Sequence, residues 1–351
     1  MNTSNSLKGK RIKTKVNSAK KVTNTANVRQ LFEEFMSVMR VEGKAVKTLE
    51  QYEYSFNEYE RHFGELSLAS FDEAHIRNYA DYMLHHHVKH GNNDFVPDKY
   101  KKVGLSPTTV RSRINKLRPF INFLYEGNYI DKYPFDRMKT IKEEPVDIEV
   151  LTADEIKRLL SVIDRNNYND FRNYVLIHFL LDCFTRIEES LQIRKSDIDF
   201  ASNSVHLRAD TTKSRVSRTL PLKAKTVRLI RELMIENNDF DNEEDYIFLT
   251  NYGEQLNAKA FRKSLKKYAK LAKINKNVRP HILRHSAATM FIAAGGDIAY
   301  LRLILGHSDL RMCLRYLHLN NEELKKAHEK YSPLNSIEEN INKSRKRKRS
   351  T

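Results

Sequence analysis

The 351-residue chain contains only two cysteines, Cys183 and Cys313, and neither has metal-ligand spacing. Both sit in apolar helical patterns and read as reduced core residues of a cytosolic protein. A zinc site is excluded in the same way, because no third or fourth ligand stands at metal spacing. Glycine is also scarce, at ten residues, and there is neither a Walker A loop nor a Gly-rich nucleotide loop. A Ser-His-Asp hydrolase is excluded by the lack of a nucleophile elbow. No apolar run approaches the ~20 residues that a membrane span needs. The N-terminal stretch MNTSNSLKGKRIKTK has no apolar segment of the secretory type, so the expected location is cytoplasmic and nucleoid-associated. No internal repeat of ~20–50 residues is visible.

What the chain has instead is positive charge, a net +17, unevenly placed. Residues 1–26 carry seven cations and no acid; residues 343–351 carry six, from Lys343 to Arg349. These ends hold 13 of the 17 net charges. Such tails are disordered alone and attracted to polyanions, nucleic acid first among them, with an affinity that falls steeply with salt. A merely solubilising tail is the plainer alternative.

Between the tails the apolar spacing is mostly helical. Val28, Leu31, Phe32, Phe35, Met36 and Met39 form one stripe. Leu49, Tyr52, Phe56, Tyr59 and Phe63 form a second, and Ile76, Tyr79, Tyr82 and Met83 a third. Ser106-Pro107, an N-cap followed by proline at the first helical position, opens a fourth that runs to about Glu126. Residues 89–104 read as a loop. This gives a four-helix domain over 27–138, followed by a linker over 139–149. Thr152 and Glu155 form a capping-box pattern that opens a second domain over 150–333. Its segment 168–193 reads as one apolar helix. Around 195–222 the period changes to two, which predicts three short strands: Asp197-Ile-Asp-Phe, Ser204-Val-His-Leu and Arg218-Thr-Leu-Pro-Leu. Helices return at 223–237, 257–273 and from 281 onward. The fold class is therefore mainly α, with one small antiparallel sheet in the second domain and a basic tail over 334–351.

Several residues invite chemistry. Arg186 falls inside the apolar run LIHFLLDCFTRIEESLQI, with Glu189 three residues on. The two are either a buried structural ion pair or a guanidinium presented to a phosphate, with the carboxylate fixing its plane. Lys213 sits in a polar turn between the second and third strands, as a solvated turn lysine or as an ammonium on a mobile hairpin tip. His281 and Arg284 are spaced to share a helix face. His307 follows a glycine turn and Tyr316 comes nine residues later. Each alone has an ordinary structural reading.

Taken in order, Arg186, Lys213, His281-x-x-Arg284, His307 and Tyr316 resemble the tyrosine recombinase family, also called phage integrases. TRIEESLQIRKSDID is similar to the family's first arginine box, HILRHSAAT to its second, and LGHSDL with Tyr316 to its third. Lys213 stands eight residues before Pro221, as the family's strand lysine often does. Residues 27–138, and SPTTVRSRINKLRPFINFLYEGNYI above all, resemble its α-helical, SAM-like core-binding domain. Two positions depart from the pattern: Phe184 stands where the family usually has Gly, and Tyr133 where it usually has Asn before proline.

The resemblance implies a site-specific DNA recombinase that cuts and rejoins DNA through a 3′-phosphotyrosyl intermediate, with no cofactor and no metal. Tyr316 is then the nucleophile, and Arg186 and Arg284 stabilise phosphate charge. His281 is the general base, Lys213 the general acid and His307 a hydrogen-bond donor to phosphate, with Glu189 in support. The implied partners are double-stranded DNA, further copies of the chain as a synaptic tetramer, and accessory recombination proteins. Arg111, Arg113 and Lys116 on one helix, and Lys259, Arg262, Lys263, Lys266 and Lys267 on another, are the candidate DNA faces. The length and tails lean toward integration or transposition of a mobile element. A type IB topoisomerase-like enzyme and a non-enzymatic DNA-binding protein are the rival readings.

Overall fold

In the computed structural model the described residues are 27–89, 97–98, 101–136, 149–212, 215–240, 244–306, 328–329, 332 and 334. The chain divides into two compact units, Met1–Val146 and Asp147–Thr351.

Among the described residues, four α-helices build the first unit: α1 (Val28–Val41), α2 (Val46–Phe63), α3 (Glu73–His85) and α4 (Pro107–Glu126). Three open on a side chain that accepts an orphan backbone N–H: Asn27 for α1, Asp72 for α3 and Ser106 for α4. Their apolar stripes meet in an aromatic core. Phe32 stacks on Phe56 with ring centroids 3.9 Å apart, and both rings stand T-shaped to Phe120. Tyr59 is fully buried and its hydroxyl donates to the carbonyl of Ser70 at 2.5 Å. Burying a phenol is tolerable only with such a partner. Tyr133 packs against this core, edge-on to Phe135.

The second unit is built on α5 (Ala153–Ser161), α6 (Tyr168–Cys183), α7 (Ile187–Leu191), β1 (Ile198–Asp199), β2 (Ser204–Leu207), β3 (Arg218–Pro221), α8 (Ala224–Glu236), α9 (Ala258–Leu271), α10 (Pro280–Ala293) and α11 (Ile298–Leu305). The capping box of Thr152 and Glu155 opens α5, and Lys276 pairs with Glu155 at 2.7 Å. The strands form one antiparallel sheet in the order β1-β2-β3, with Val205 opposite Leu220 and Leu207 opposite Arg218.

Helix α6 is buried nearly all round and runs through the core, packed by α8 and α10. Its two buried polar residues are satisfied. Arg172 donates to the Leu249 carbonyl and to Asn169 and Asn173; Asn173 donates to the Tyr268 hydroxyl, which itself donates to Asp170. Among the described residues no helix is long and apolar enough to cross a membrane.

Candidate active site

The expectation of one unbroken helix over 168–193 is corrected here. Helix α6 stops at Cys183 because Phe184 adopts the left-handed conformation, φ 50° and ψ 29°. A side chain in that conformation costs ~1–2 kcal/mol. The ring offsets it by filling a small apolar cluster with Ala287, Ala288, Leu301 and Leu305, edge-on to Phe291 at 5.8 Å. The chain turns and restarts as α7, so Arg186 lies not within a helix but at the N-cap of a new one.

That placement changes the Arg186–Glu189 relationship. Glu189 is the third residue of α7, and its Oε2 accepts the backbone N–H of Arg186 at 3.2 Å. Its Oε1 accepts from Arg186 Nη1 at 2.8 Å. Ser190 Oγ donates to the Arg186 carbonyl and pairs with Thr185 at 2.7 Å. The guanidinium is thus fixed by its own helix start, with a quarter of the side chain exposed, 24%, against 2% for Glu189. Burial alone would raise the Glu189 carboxyl, but Arg218 and then Arg186 outweigh burial and hold it below the usual carboxylate range.

Helix α10 brings the second arginine. Pro280 at its first position and Arg279 before it set its start. The hydroxyl of Ser286 is wholly buried, accepts from Leu151 N–H and donates to the Ile282 carbonyl, both at 2.7 Å. This ties the helix to the segment that leads into α5. Arg284 is buried, and its two terminal nitrogens donate to the carbonyls of Phe184 at 2.6 Å and Leu305 at 2.8 Å. It therefore bridges the turn before Arg186 and the end of α11. His281, in the first turn, is exposed. Local crowding still removes part of its hydration and lowers the imidazole below its usual 6.5, and Arg284, Arg279, Arg186 and Arg262 push it the same way. These causes all favour the neutral imidazole, the form able to take a proton.

Helix α11 ends in a second left-handed residue, Gly306, φ 62° and ψ 41°. A Cβ there would stand 2.8 Å from Nη1 of Arg218. Two guanidiniums cap this helix end: Arg284 on the Leu305 carbonyl, and Arg218 through Nε on the Ile304 carbonyl at 3.2 Å. Cations suit a helix C-terminus, where orphan carbonyls concentrate partial negative charge.

The structure therefore brings together Arg186, Glu189, His281 and Arg284. Lys213, His307 and Tyr316 lie outside the described residues, as do Cys313 and the residues of both basic tails apart from Leu334. Sequence reasoning missed Arg218 and Ser286. The signal for Arg218 was present, since it is two residues from buried Leu220 on a strand and so shares its inward face.

A family model, phage integrase family, matches residues 149–323. Tyrosine recombinase XerC of Pelotomaculum thermopropionicum is 30% identical over 240 residues, covering 66% of this chain and 78% of the relative. The chain belongs to the tyrosine recombinase family. Members of this family are enzymes that cut and rejoin DNA. Tyrosine recombinase XerD of Oceanobacillus iheyensis is 28% identical over 291 residues, 80% of this chain and 96% of that one. Among solved structures, the Tn1549 transposon integrase in complex with a circular intermediate DNA matches with TM-score 0.69 at 21% identity, covering 87% of this chain and 99% of that one. The XerH recombinase bound to a palindromic difH substrate matches with TM-score 0.64 at 19% identity, covering 86% and 83%. The fold is that of the tyrosine recombinases.

In this recombinase the two candidate DNA faces differ. On α9, Lys259, Arg262, Lys263, Lys266 and Lys267 are all exposed. Arg262 approaches Glu188 at 3.4 Å and Lys267 approaches Asp170 at 3.5 Å. Lys259, Lys263 and Lys266 have no carboxylate within 4 Å among the described residues. On α4, Arg111, Arg113 and Lys116 are half-buried. Arg113 donates to the Tyr54 hydroxyl at 3.0 Å and pairs with Glu58 at 3.4 Å. Lys116 Nζ lies 6.0 Å from the Tyr52 ring centroid. Arg111 and Lys116, with Tyr52, Thr108, Ser112 and Asn115, line a cavity of about 350 Å³.

Proposed function

We propose that this recombinase cleaves a DNA phosphodiester by in-line attack of the Tyr316 hydroxyl oxygen on phosphorus. The P–O5′ bond breaks as the phosphotyrosyl bond forms, leaving a 3′-phosphotyrosyl link and a free 5′ hydroxyl. His281 accepts the phenol proton and Lys213 protonates the departing 5′ oxygen. Arg186, Arg284 and His307 hold the non-bridging oxygens, where charge accumulates. A 5′ hydroxyl from a second DNA then attacks the link and releases Tyr316, which gives strand exchange without an external energy source.

The observation that carries this reading is the grouping of two fixed guanidiniums, Arg186 and Arg284, with His281 in the first turn of α10. The arginines present charge without reorganisation, and they push the histidine toward the neutral form that a base needs. Double-stranded DNA is the substrate in this proposal, supported by the DNA-bound structures of similar fold. The exposed cations of α9 contribute phosphate contacts, which position the duplex without reading it. The assembly is a synaptic tetramer in the cytoplasm, and the biological role is integration or transposition of a mobile element. The likeness in fold to a transposon integrase supports that role; the Xer relatives favour, as a second reading, resolution of chromosomal sites.

The test is trapping on nicked suicide duplexes that carry the DNA flanking the gene. The wild-type chain should form a covalent adduct that maps to Tyr316, and Tyr316→Phe should form none. An adduct that persists in Tyr316→Phe removes the nucleophile assignment.

A further inference from the structure

Arg218 has no part in the chemistry proposed above, yet its surroundings are unusual for a strand residue. It opens β3, and its side chain is 11% exposed. Nη2 donates to Glu189 Oε2 at 2.8 Å, the same oxygen that accepts the backbone N–H of Arg186. Nε donates to the Ile304 carbonyl, in the last turn of α11, at 3.2 Å. Nη1 is buried, has no hydrogen-bond partner among the described residues, and lies where a Cβ on Gly306 would come within 2.8 Å.

One guanidinium thus meets three parts of the unit. It holds the carboxylate that fixes Arg186, it holds the end of α11, and it is rooted on β3. A planar fork with a donor on each edge can join a carboxylate and a carbonyl in this way; a lysine ammonium at one point in space cannot hold both with the same geometry. A purely packing role would leave the orientation of Glu189 to Arg186 alone, and Glu189 would then keep one oxygen short of a charged partner in a buried place.

We propose that Arg218 is a positioning residue for strand cleavage: it acts through Glu189 on Arg186, and the end of α11 that it also holds keeps its guanidinium in place for that role. The inference rests on the reading of Arg186 as a phosphate-binding group. It goes beyond that reading in assigning to the strand, rather than to α7 and α10 alone, the registration of the cationic site. It also gives a reason for the glycine at 306, since the left-handed turn and the neighbouring guanidinium both exclude a side chain there.

The experiment uses the full chain and compares Arg218→Met, Arg218→Lys, Glu189→Gln and the double variant Arg218→Met/Glu189→Gln. Single-turnover adduct formation on the nicked suicide duplex is measured at saturating DNA, with duplex affinity and thermal unfolding measured beside it. Arg218→Met should slow cleavage by at least tenfold while duplex Kd stays within about twofold, because the residue orients groups that act at the reacting phosphate and does not itself contact the duplex. Arg218→Lys should recover part of the rate. The double variant should be no slower than Glu189→Gln by more than about twofold, since both changes break one linkage. Should Arg218→Met fail to fold, Arg218→Lys carries the test alone, with slowed cleavage at unchanged Kd expected.

Wild-type cleavage by a folded Arg218→Met overturns the proposal. So does a defect that appears wholly in Kd, or a double variant whose loss is the product of the two single losses. Arg186→Ala separates this result from the reading beneath it. If that variant cleaves normally, the assignment of Arg186 is wrong; if it is inactive while Arg218→Met is unaffected, only the role of Arg218 is wrong.

Discussion

Two left-handed helix ends border the cationic site, and they solve the same backbone problem with opposite side chains. Helix α6 ends at Phe184 with φ 50°, and α11 ends at Gly306 with φ 62°. Arg284 donates to a backbone carbonyl at each, that of Phe184 itself and that of Leu305 just before Gly306. The conformation alone favours glycine at both. At 306 the neighbour is the Arg218 guanidinium, so a Cβ has no room. At 184 the neighbour is an apolar cluster with room for a ring, and Phe184 is itself one of its buried members. The residue at a strained turn is therefore decided by what the side chain would meet, not by φ alone. The Phe184 ring packs α10 and α11 against the turn.

The largest expected effect comes from removing the ring. Phe184→Ala should destabilise the second unit by about 3–5 kcal/mol, because it empties a buried site while leaving a Cβ in the left-handed conformation. Phe184→Gly should be the milder change by about 1 kcal/mol, since it relieves the backbone as it removes the ring. This inverts the common order in which alanine is the better tolerated of the two. Denaturant midpoints for the pair decide it: alanine more stable than glycine at 184 would mean that the turn carries no conformational cost. Next in size is Gly306→Ala, at about 1–2 kcal/mol for the turn itself. Here the sharper readout is kinetic. The new methyl must displace the guanidinium of Arg218, and single-turnover cleavage should fall on the order of 10–100-fold with duplex affinity retained. Unaltered cleavage would show that the two turns are equivalent and that Arg218 has slack.

Much of this architecture was legible in residue spacing, for a physical reason. Val28, Leu31, Phe32, Phe35 and Met36 recur on one helical face, and all are buried; alternation in Ser204–Leu207 likewise puts Val205 and Leu207 inside. Those patterns report burial directly. The break at Phe184 was not legible from periodicity, because the apolar pattern runs on through it, and only the backbone conformation separates α6 from α7. The Arg186–Glu189 pair was read correctly as neighbours but for a different reason, since i, i+3 describes a helix start as well as a helix face. Arg218 was hidden because a charged residue at a strand end looks solvated. Its inward direction shows only when it is counted with Leu220, and its carboxylate lies 29 residues away in sequence.

The smallest effect, and the one that tests whether the two turns act together electrostatically, concerns His281. Arg186 follows the first turn and Arg284 is held by both, and each cation disfavours the charged imidazole after local crowding has already done so. The folded pKa lies below 6.5, so between that value and 6.5 the unfolded chain binds the proton more readily than the folded one. The contribution to stability is therefore present above pH 6.5 and is lost as pH falls through the folded pKa. The same depression places the acid limb of single-turnover cleavage below pH 6.5. Arg262 is exposed and is the weakest of the four cations acting on His281. Arg262→Gln should shift that limb slightly back toward 6.5 while leaving both turns intact, whereas Arg284→Gln should shift it further. An NMR titration of the His281 ring in the three proteins gives the order directly. A wild-type midpoint above 6.5, or a larger shift from Arg262 than from Arg284, would mean that the arginine held by the two turns is not what keeps this histidine neutral.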